Sequence, residues 1–249
     1  MPKVNDPAML VDQSLCVGCD ACTVVCKLIY DLPWGVNRTE IDTTETGNFP
    51  EVSRNNKKRA CMHCKDAACV AACPTGACHK NDLDLTVINN DLCVECNYCV
   101  TNCPFGAIRF NRSTGHIAKC TMCASRIEEG QQPFCTEVCT SRIIKFGERE
   151  VMLRKALERA EKLREQGYED ARVYGEGEMG GLRVITVLSE SPEKYDLPVD
   201  PQLSVGMRLW NALPLTPTVL VIAGVLLGIN HFKSRNVQDK LKEVQKSKK

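Results

Sequence analysis

The sequence has few aromatic residues and almost no net charge. Aromatic residues make up 5% of its 249 residues, and the formal net charge is +1. A chain with this charge balance lacks the basic surface that nucleic-acid binding requires, so we expect no nucleic-acid partner. Aromatic side chains bury large apolar areas, and a chain with so few of them has a thin apolar core. We therefore expect another source of cohesion.

We also expect no secretory signal. Residues 1–15 contain no basic segment followed by an apolar run, so the sequence predicts no signal peptide. This absence and the odd number of cysteines, seventeen, argue against a disulfide framework.

Sixteen of the seventeen cysteines fall into four groups of four. The third group, Cys93, Cys96, Cys99 and Cys103, has the spacing C-x2-C-x2-C-x3-C and is followed by Pro104. In bacterial ferredoxins this pattern binds [4Fe–4S] clusters: three thiolates hold one cluster and the fourth binds the other cluster of a pair. Zinc sites use pairs of C-x2-C and do not explain repeated runs of four. Iron–sulfur ligation explains sixteen of the seventeen.

The other three groups vary this spacing. The first group keeps the same gaps and precedes Lys27, the second has a middle gap of four residues and precedes Pro74, and the fourth has a middle gap of eleven and precedes Thr140. Gly130 and Pro133 predict a loop in the longest gap. The members are Cys16, Cys19, Cys22 and Cys26; Cys61, Cys64, Cys69 and Cys73; and Cys120, Cys123, Cys135 and Cys139.

Because the fourth cysteine of each group binds the other cluster of a pair, the groups must themselves form pairs. The second and third groups are adjacent and both end in Cys-Pro, so we pair them, and the first group then pairs with the fourth. This predicts four [4Fe–4S] clusters. Their ligands are site 1 (Cys16, Cys19, Cys22, Cys139), site 2 (Cys61, Cys64, Cys69, Cys103), site 3 (Cys73, Cys93, Cys96, Cys99) and site 4 (Cys26, Cys120, Cys123, Cys135).

Two further residues lie close to these groups. We interpret Cys78, the seventeenth cysteine, as a small buried residue packed near a cluster; a reactive thiol or a substitute ligand is the alternative. His63 lies between Cys61 and Cys64, where the four-cysteine set is already complete. We therefore expect His63 to form a hydrogen bond or to pack at the surface rather than to bind metal.

The repeated groups predict an α+β fold, a tandem ferredoxin-like domain of the two-cluster type over residues 1–150. Short strands are expected at 83–88 and 107–110, and a short helix at 67–72. Regular structure should be scarce, because the backbone must wrap the clusters and aim N–H groups at sulfur.

Residues 151–207 are predicted to form an extension that contacts a partner. The apolar period of 150–166 indicates an amphipathic helix, which either packs on the ferredoxin core or clasps a partner subunit. A strand is expected at 183–188 and a linker at 191–201.

Residues 209–232 carry no formal charge and are long enough for a helix that crosses a bilayer. Residues 1–208 show no second apolar layer that could bury such a helix, so we predict a single transmembrane anchor at 208–232 and a basic tail at 233–249. The positive-inside rule places the tail in the cytoplasm and the cluster domain on the outer, periplasmic face of the cell membrane. This topology requires co-export with a partner that bears a twin-arginine signal. The alternative keeps the cluster domain in the cytoplasm.

The cysteine pattern, with one C-x2-C-x4-C and one C-x2-C-x11-C, resembles the four-cluster electron-transfer (beta) subunits of molybdopterin oxidoreductases, as does DLPWGVNR at 31–38. LREQGY at 163–168, VYG at 173–175 and the glycines at 180–181, followed by one anchor, are similar to the beta subunit of membrane-bound formate dehydrogenase. The iron–sulfur subunit of membrane-bound nickel–iron hydrogenase looks much alike in this region. One departure is Cys-Thr-Ser at 139–141, where the family often has Cys-Pro-Thr.

The resemblance implies a respiratory electron-transfer subunit. It would carry electrons from a catalytic molybdenum- or tungsten-pterin subunit through four [4Fe–4S] clusters to a membrane cytochrome b and quinone. The first and fourth groups would face the catalytic partner, and the second and third the membrane. No acid–base pair or activated nucleophile stands out, so we predict no catalytic residue in this chain. A structural scaffold and a soluble ferredoxin remain alternatives.

Overall fold

Regular structure is short around the cysteines and longer elsewhere. The computed structural model describes residues 4–112, 114–204 and 206. The strands are β1 (Pro7–Asp12), β2 (Thr39–Asn48), β3 (Glu51–Ala60), β4 (Cys78–Lys80), β5 (Thr86–Ile88), β6 (Arg109–Asn111), β7 (His116–Ala118), β8 (Ile144–Glu148), β9 (Arg172–Tyr174) and β10 (Val184–Leu188). The helices are α1 (Ala21–Ile29), α2 (Ala68–Ala71), α3 (Tyr98–Thr101), α4 (Ala124–Glu128), α5 (Phe134–Glu137) and α6 (Arg149–Glu165).

A four-stranded sheet joins the beginning of the chain to its later part. The strand order is β8-β1-β10-β9. In this sheet β1 runs antiparallel to β8, where Met9 lies opposite Phe146, and parallel to β10, where Met9 lies opposite Val184. All residues of β1 are buried. Its apolar run without alternation is typical of a strand that is covered on both faces.

Helix α6 confirms the amphipathic helix that the sequence predicts. Its buried residues Met152, Ala156, Ala160 and Leu163 follow the helical period. They pack against buried residues of the sheet, including Leu10 of β1. The apolar stripe of α6 therefore covers the sheet, as expected for a helix that packs on the core.

Leu163 should contribute strongly to stability. Its side chain is 2% exposed, so Leu163→Ala should cost about 2–5 kcal/mol in the free energy of unfolding. Leu157→Ala is the matched control, because Leu157 lies on the same helix and is 42% exposed. Circular dichroism of the cluster-loaded protein should show a thermal midpoint several degrees lower for Leu163→Ala only. Equal losses in the two variants would contradict the assignment of the buried face.

Two short hairpins follow the second and third cysteine groups. The second group contains α2 and is followed by the hairpin β4–β5, and the third group contains α3 and is followed by the hairpin β6–β7. The predicted helix at 67–72 and the predicted strands at 83–88 and 107–110 are therefore confirmed, with shorter or shifted ends. The unit of cysteines, short helix and hairpin occurs twice, which agrees with the predicted α+β, ferredoxin-like fold.

A third hairpin, β2–β3, was not predicted. Its ten-residue strands pair from Thr39 opposite Ala60 to Asn48 opposite Glu51. The end nearest the turn is exposed, whereas Asn56, Lys57 and Lys58 near the base are buried. This hairpin thus brings polar side chains into the cysteine-rich region.

The later residues extend the same unit. Residues up to Ser204 belong to one compact unit. In the segment predicted as a linker, residues 192–195 form a 3-10 turn, and the buried Tyr195 hydroxyl lies 2.8 Å from the Ser189 hydroxyl. The helices in the described part of the chain are all too short or too polar to cross a bilayer. The predicted anchor at 208–232 and the predicted tail lie outside the described residues.

Candidate metal centres

The structure brings the sixteen cysteines together in the four predicted sets. The cysteines of site 1, site 4 and site 3 each line a cavity of their own. At site 2, burial raises the pKa of Cys64, and the neighbouring thiols of Cys61, Cys103 and Cys69 raise it further. The first and fourth groups therefore meet, as do the second and third, and each contributes one cysteine to the other's site. Their role as ligands stays a prediction.

The donor chemistry of these sites fits iron–sulfur clusters. Each predicted set has four cysteine thiols, with Cys78 as a fifth in the cavity of site 3, and soft thiolate ligands favour iron–sulfur clusters or zinc. A cubane binds one thiolate at each of four irons, whereas a single ion needs all its ligands in one coordination sphere. Among the described residues, no three His, Cys, Asp or Glu side chains are placed to hold one metal ion.

All four C-x2-C segments share one backbone feature. The residue two positions after the first cysteine has a positive φ, at Gly18 (67°), His63 (48°), Glu95 (57°) and Met122 (54°). The N–H of His63 donates to Cys61 Sγ at 3.4 Å, and the N–H of Met122 donates to Cys120 Sγ at 3.3 Å. Three of the four residues have a Cβ, for which this conformation is unfavourable. The turn points a backbone amide at a cysteine sulfur. Of the four residues, only Gly18 is of the type that favours a positive φ, so only this turn could be predicted from the sequence.

The third cysteine of each group occupies an equivalent position in a short helix. It is the second residue of α1, α2, α3 or α5, and it is buried at Cys22, Cys69, Cys99 and Cys135. Each site thus has one thiol fixed in the interior by a helix. This repetition of backbone geometry holds even where the spacing between cysteines differs.

The eleven-residue gap of the fourth group is partly helical. The predicted loop is wrong for residues 124–128, which form α4, and is right around Gly130, whose φ is 77°. Arg126 fixes the insertion, because its Nη2 donates to Glu137 Oε1 at 2.6 Å and its guanidinium lies 3.7 Å from the centre of the Phe134 ring. The helix α4 is therefore tied to α5, which carries Cys135.

Two residues that stand in the place of a proline make polar contacts. Lys27 Nζ donates to the carbonyl oxygens of Pro33 at 2.8 Å and Val36 at 3.1 Å, and so holds the segment after the first group. Thr140 Oγ1 lies 3.5 Å from Cys19 Sγ, within hydrogen-bond distance of a sulfur atom. The departure from Cys-Pro-Thr thus adds a hydroxyl group to site 1.

Cys78 is buried, as predicted, and lies between two sites. It is 3% exposed and packs with Cys69 of site 2 and Cys99 of site 3. Its hydrogen bonds with these two thiols raise its pKa strongly.

His63 is not at the surface, so that part of the expectation is wrong. Its side chain is fully buried, and neither ring nitrogen has a hydrogen-bond partner within the described part of the chain. Burial lowers its pKa well below the usual value, and the positive charges of Lys119 and Lys80 lower it further. The ring is therefore neutral and has one N–H available as a donor.

Shared residues and neighbouring thiols connect the four sites in one series. Lys58 lines the cavities of both site 1 and site 4. Cys120 of site 4 contributes to the raised pKa of Cys61 of site 2, so these two sites are neighbours. Cys78 connects site 2 to site 3. The order is site 1, site 4, site 2 and site 3.

Buried lysines lie among thiols that resist ionisation. Burial raises the pKa of Cys61 to about 11 and of Cys135 to about 12. Lys58 and Lys119 are 7% and 2% exposed, and Lys119 Nζ donates to the carbonyl oxygens of Cys120, at 2.7 Å, and Thr86. Burial alone would lower the pKa of Lys58, but the neighbouring cysteines, Cys135 first among them, raise it. Sequence reasoning missed both lysines, because lysine is seldom buried.

Comparison with known proteins identifies the domains. Residues 54–149 and 15–77 each match a family of 4Fe–4S dicluster domains, and together they include the sixteen cysteines. Two dicluster domains agree with the predicted four [4Fe–4S] clusters.

Curated relatives are similar over most of the chain. It is 35% identical to the nitrate-inducible formate dehydrogenase iron–sulfur subunit of Escherichia coli over 82% of this chain and 76% of that protein. It is 34% identical to the formate dehydrogenase iron–sulfur subunit of Haemophilus influenzae over 88% of this chain and 77% of that protein. A thiosulfate reductase electron transfer subunit of Salmonella typhi is 37% identical over 57% of this chain and 76% of its own length. The chain therefore belongs to the family of formate dehydrogenase iron–sulfur subunits.

Proposed function

We propose that this chain relays single electrons between two protein partners through four [4Fe–4S] clusters. The donor would be a catalytic formate dehydrogenase subunit with a molybdenum- or tungsten-pterin centre, and the acceptor a membrane cytochrome b that reduces quinone. The observation that carries the proposal is the series of linked sites, whose two ends are site 1 and site 3.

Both ends of the series are open to a partner. Among the sixteen cysteines of the sites, the exposed ones are Cys19 of site 1 and Cys96 of site 3. Val17 beside the first thiol is 63% exposed, and Val94 and Tyr98 beside the second are 61% and 56% exposed. Apolar and aromatic side chains of this kind suit the core of a protein interface, where they exclude water. The cysteines of sites 2 and 4 are all buried or half-buried, as expected for the middle of a relay.

The residues of the chain have distinct roles in this proposal. The four cysteine sets hold the clusters, each of which supplies a one-electron couple when bound. The amides of His63 and Met122 donate to ligand sulfurs, and such hydrogen bonds tune cluster potentials. The buried thiol in each short helix keeps one side of its site away from solvent.

We further propose that site 1 faces the catalytic subunit and that site 3 faces the membrane partner. The segment at 208–232, which carries no formal charge from residue 209 onward, would be the single membrane anchor, with the basic tail at 233–249 in the cytoplasm and the cluster domain on the periplasmic face. Co-export with a signal-bearing partner would account for that side of the membrane.

The function is tested by isolating the complex. The tagged chain is released from membranes with mild detergent, its companions are identified by mass spectrometry, and dye reduction is measured with formate and with hydrogen. A pterin-binding companion and formate-dependent reduction are expected, with about sixteen iron and sixteen sulfide per chain. A nickel–iron companion with hydrogen uptake would replace the donor by a hydrogenase. Release without detergent would overturn the anchor, and zinc without sulfide would overturn the relay.

The hydroxyl of Thr140 should raise the potential of the cluster at site 1. A hydrogen bond to a ligand sulfur favours the reduced cluster, so Thr140→Val should lower the midpoint potential of one cluster out of four. Thr140→Ser keeps the hydroxyl and is the matched control. A redox titration followed by electron paramagnetic resonance (EPR) measures all four potentials. Equal potentials in the two variants would mean that the Thr140 contact does not tune the cluster.

A further inference from the structure

Lys58 lies between two candidate cluster sites. It belongs to β3 near the base of the β2–β3 hairpin and is 7% exposed. Its side chain lines the cavity that holds the cysteines of site 1 and also the cavity that holds those of site 4. Its backbone N–H donates to Gln13 Oε1 at 3.1 Å, which fixes this part of the strand. The position of this residue on the strand therefore places its side chain between the two sites.

The charge of Lys58 has no carboxylate partner in the described part of the chain. Its neighbour on the strand, Lys57, is also buried, but Lys57 Nζ lies 3.6 Å from Asp42 Oδ2 and 3.4 Å from Asp196 Oδ2. Lys58 instead faces thiols of both sites, with Cys22 and Cys26 among them. A buried ammonium group without a counter-charge is strongly unfavourable, so the compensating negative charge must come from the sites themselves.

A [4Fe–4S] cluster with four thiolates is an anion, and reduction adds one more negative charge. A fixed cation nearby stabilises the reduced form more than the oxidised form. We propose that Lys58 is a positioning residue for electron transfer: it holds one positive charge between the clusters of sites 1 and 4 and raises the reduction potentials of both. This inference rests on the proposed function, because it needs clusters at both sites.

The position between two clusters matters for the donor. Oxidation of formate to carbon dioxide releases two electrons and one proton, whereas each cluster accepts one electron. If the first two clusters are reduced together, their added charges repel each other, and the ammonium group between them reduces this repulsion. With clusters bound at sites 1 and 4, Lys58 would therefore favour a state in which both electrons of one turnover have left the catalytic subunit.

The test is a dithionite titration followed by EPR on the cluster-loaded complex, after iron and sulfide have been counted. In Lys58→Met, reduction of two clusters should be about tenfold less favourable. For a one-electron couple this lowers the reduction potential of each cluster by about 59 mV. Lys58→Arg should restore potentials close to those of the unaltered protein. Lys57→Met is the matched control and should leave these two potentials unchanged. Unchanged potentials in Lys58→Met, or an equal shift in Lys57→Met, would overturn the proposal.

A second measurement does not depend on the folding of Lys58→Met. The complex is labelled with [15N]lysine and reduced, and pulsed EPR detects nitrogen near each reduced cluster. We expect the 15N coupling at the cluster of site 1 to disappear in Lys58→Arg, whose side chain is unlabelled, because Lys58 is the lysine that lines this cavity. Lys119, beside Cys120 of site 4, keeps its label in both proteins, so a coupling at site 4 is not part of the test. No coupling at site 1, or one that persists there in Lys58→Arg, would overturn the inference. If the inference fails while the iron count is normal, the proposed relay still stands. If iron and sulfide are absent, the proposed function itself is refuted.

Discussion

Cys139→Ala should remove the same cluster as Cys19→Ala, although the two cysteines belong to opposite ends of the cysteine-rich region. The iron content of either variant should fall from about sixteen to about twelve per chain. The reason is that Cys139 lines the same cavity as Cys16, Cys19 and Cys22. Since site 1 is one end of the series, the proposed function predicts that formate-dependent reduction of quinone is lost in both variants.

The double variant distinguishes crossed from uncrossed ligation. Cys19→Ala combined with Cys139→Ala should retain about twelve iron, because one cluster cannot be lost twice. A fall to about eight would show that each cysteine serves a different cluster, which would contradict the crossed sets. Cys78→Ala is the control: it removes a buried thiol that belongs to none of the four sets and should retain about sixteen iron.

Removal of the clusters should unfold one part of the chain and spare another. Hydrogen exchange followed by mass spectrometry should show that α2 and α3 lose protection when an oxidant and a chelator strip the iron, while α6 keeps it. The cluster of apolar residues under α6, with Leu10 and Ile185 among them, contains no cysteine. The core around α2 and α3 consists largely of cysteines. There the folded state depends on the clusters, because free energy of metal binding becomes free energy of folding.

This prediction has two contradicting outcomes. Loss of protection in α6 to the same extent would mean that the clusters also support the sheet. Full protection of α2 and α3 would mean that the cysteine segment folds before the clusters bind. A sample treated with the chelator alone, with its iron content unchanged, is the control for the additives.

The sequence reveals the sites better than it reveals the framework that positions them. Cysteine spacing predicts the four sets because ligation restricts which thiols reach one cluster, and the period of α6 predicts its buried face. The hairpin β2–β3 was missed because its strands are polar and lack an alternating apolar pattern. The helix α4 was missed because Gly130 and Pro133 favour a turn. They lie in the second half of the gap, whereas its first residues are helical.

Lys58 shows why some residues of a site cannot be found from spacing. Nothing in its local sequence differs from that of a surface lysine, since Lys57 and Arg59 are its neighbours. Its burial follows from the meeting of the first and fourth cysteine groups around the base of a hairpin. Only long-range contacts produce this environment, so the role of the residue becomes visible once the chain is folded.

The central place of β1 in its sheet determines how the subunit is made. The ribosome synthesises β1 first, yet its parallel partner β10 is synthesised only after the last cysteine group has emerged, since Met9 pairs with Val184. Pairing over such a distance along the chain is slow. Sites 2 and 3 use cysteines from residues 61–103 alone and are complete while translation continues. Sites 1 and 4 must wait for residues 120–139. The ligand sets of sites 2 and 3 are therefore synthesised in full before those of sites 1 and 4.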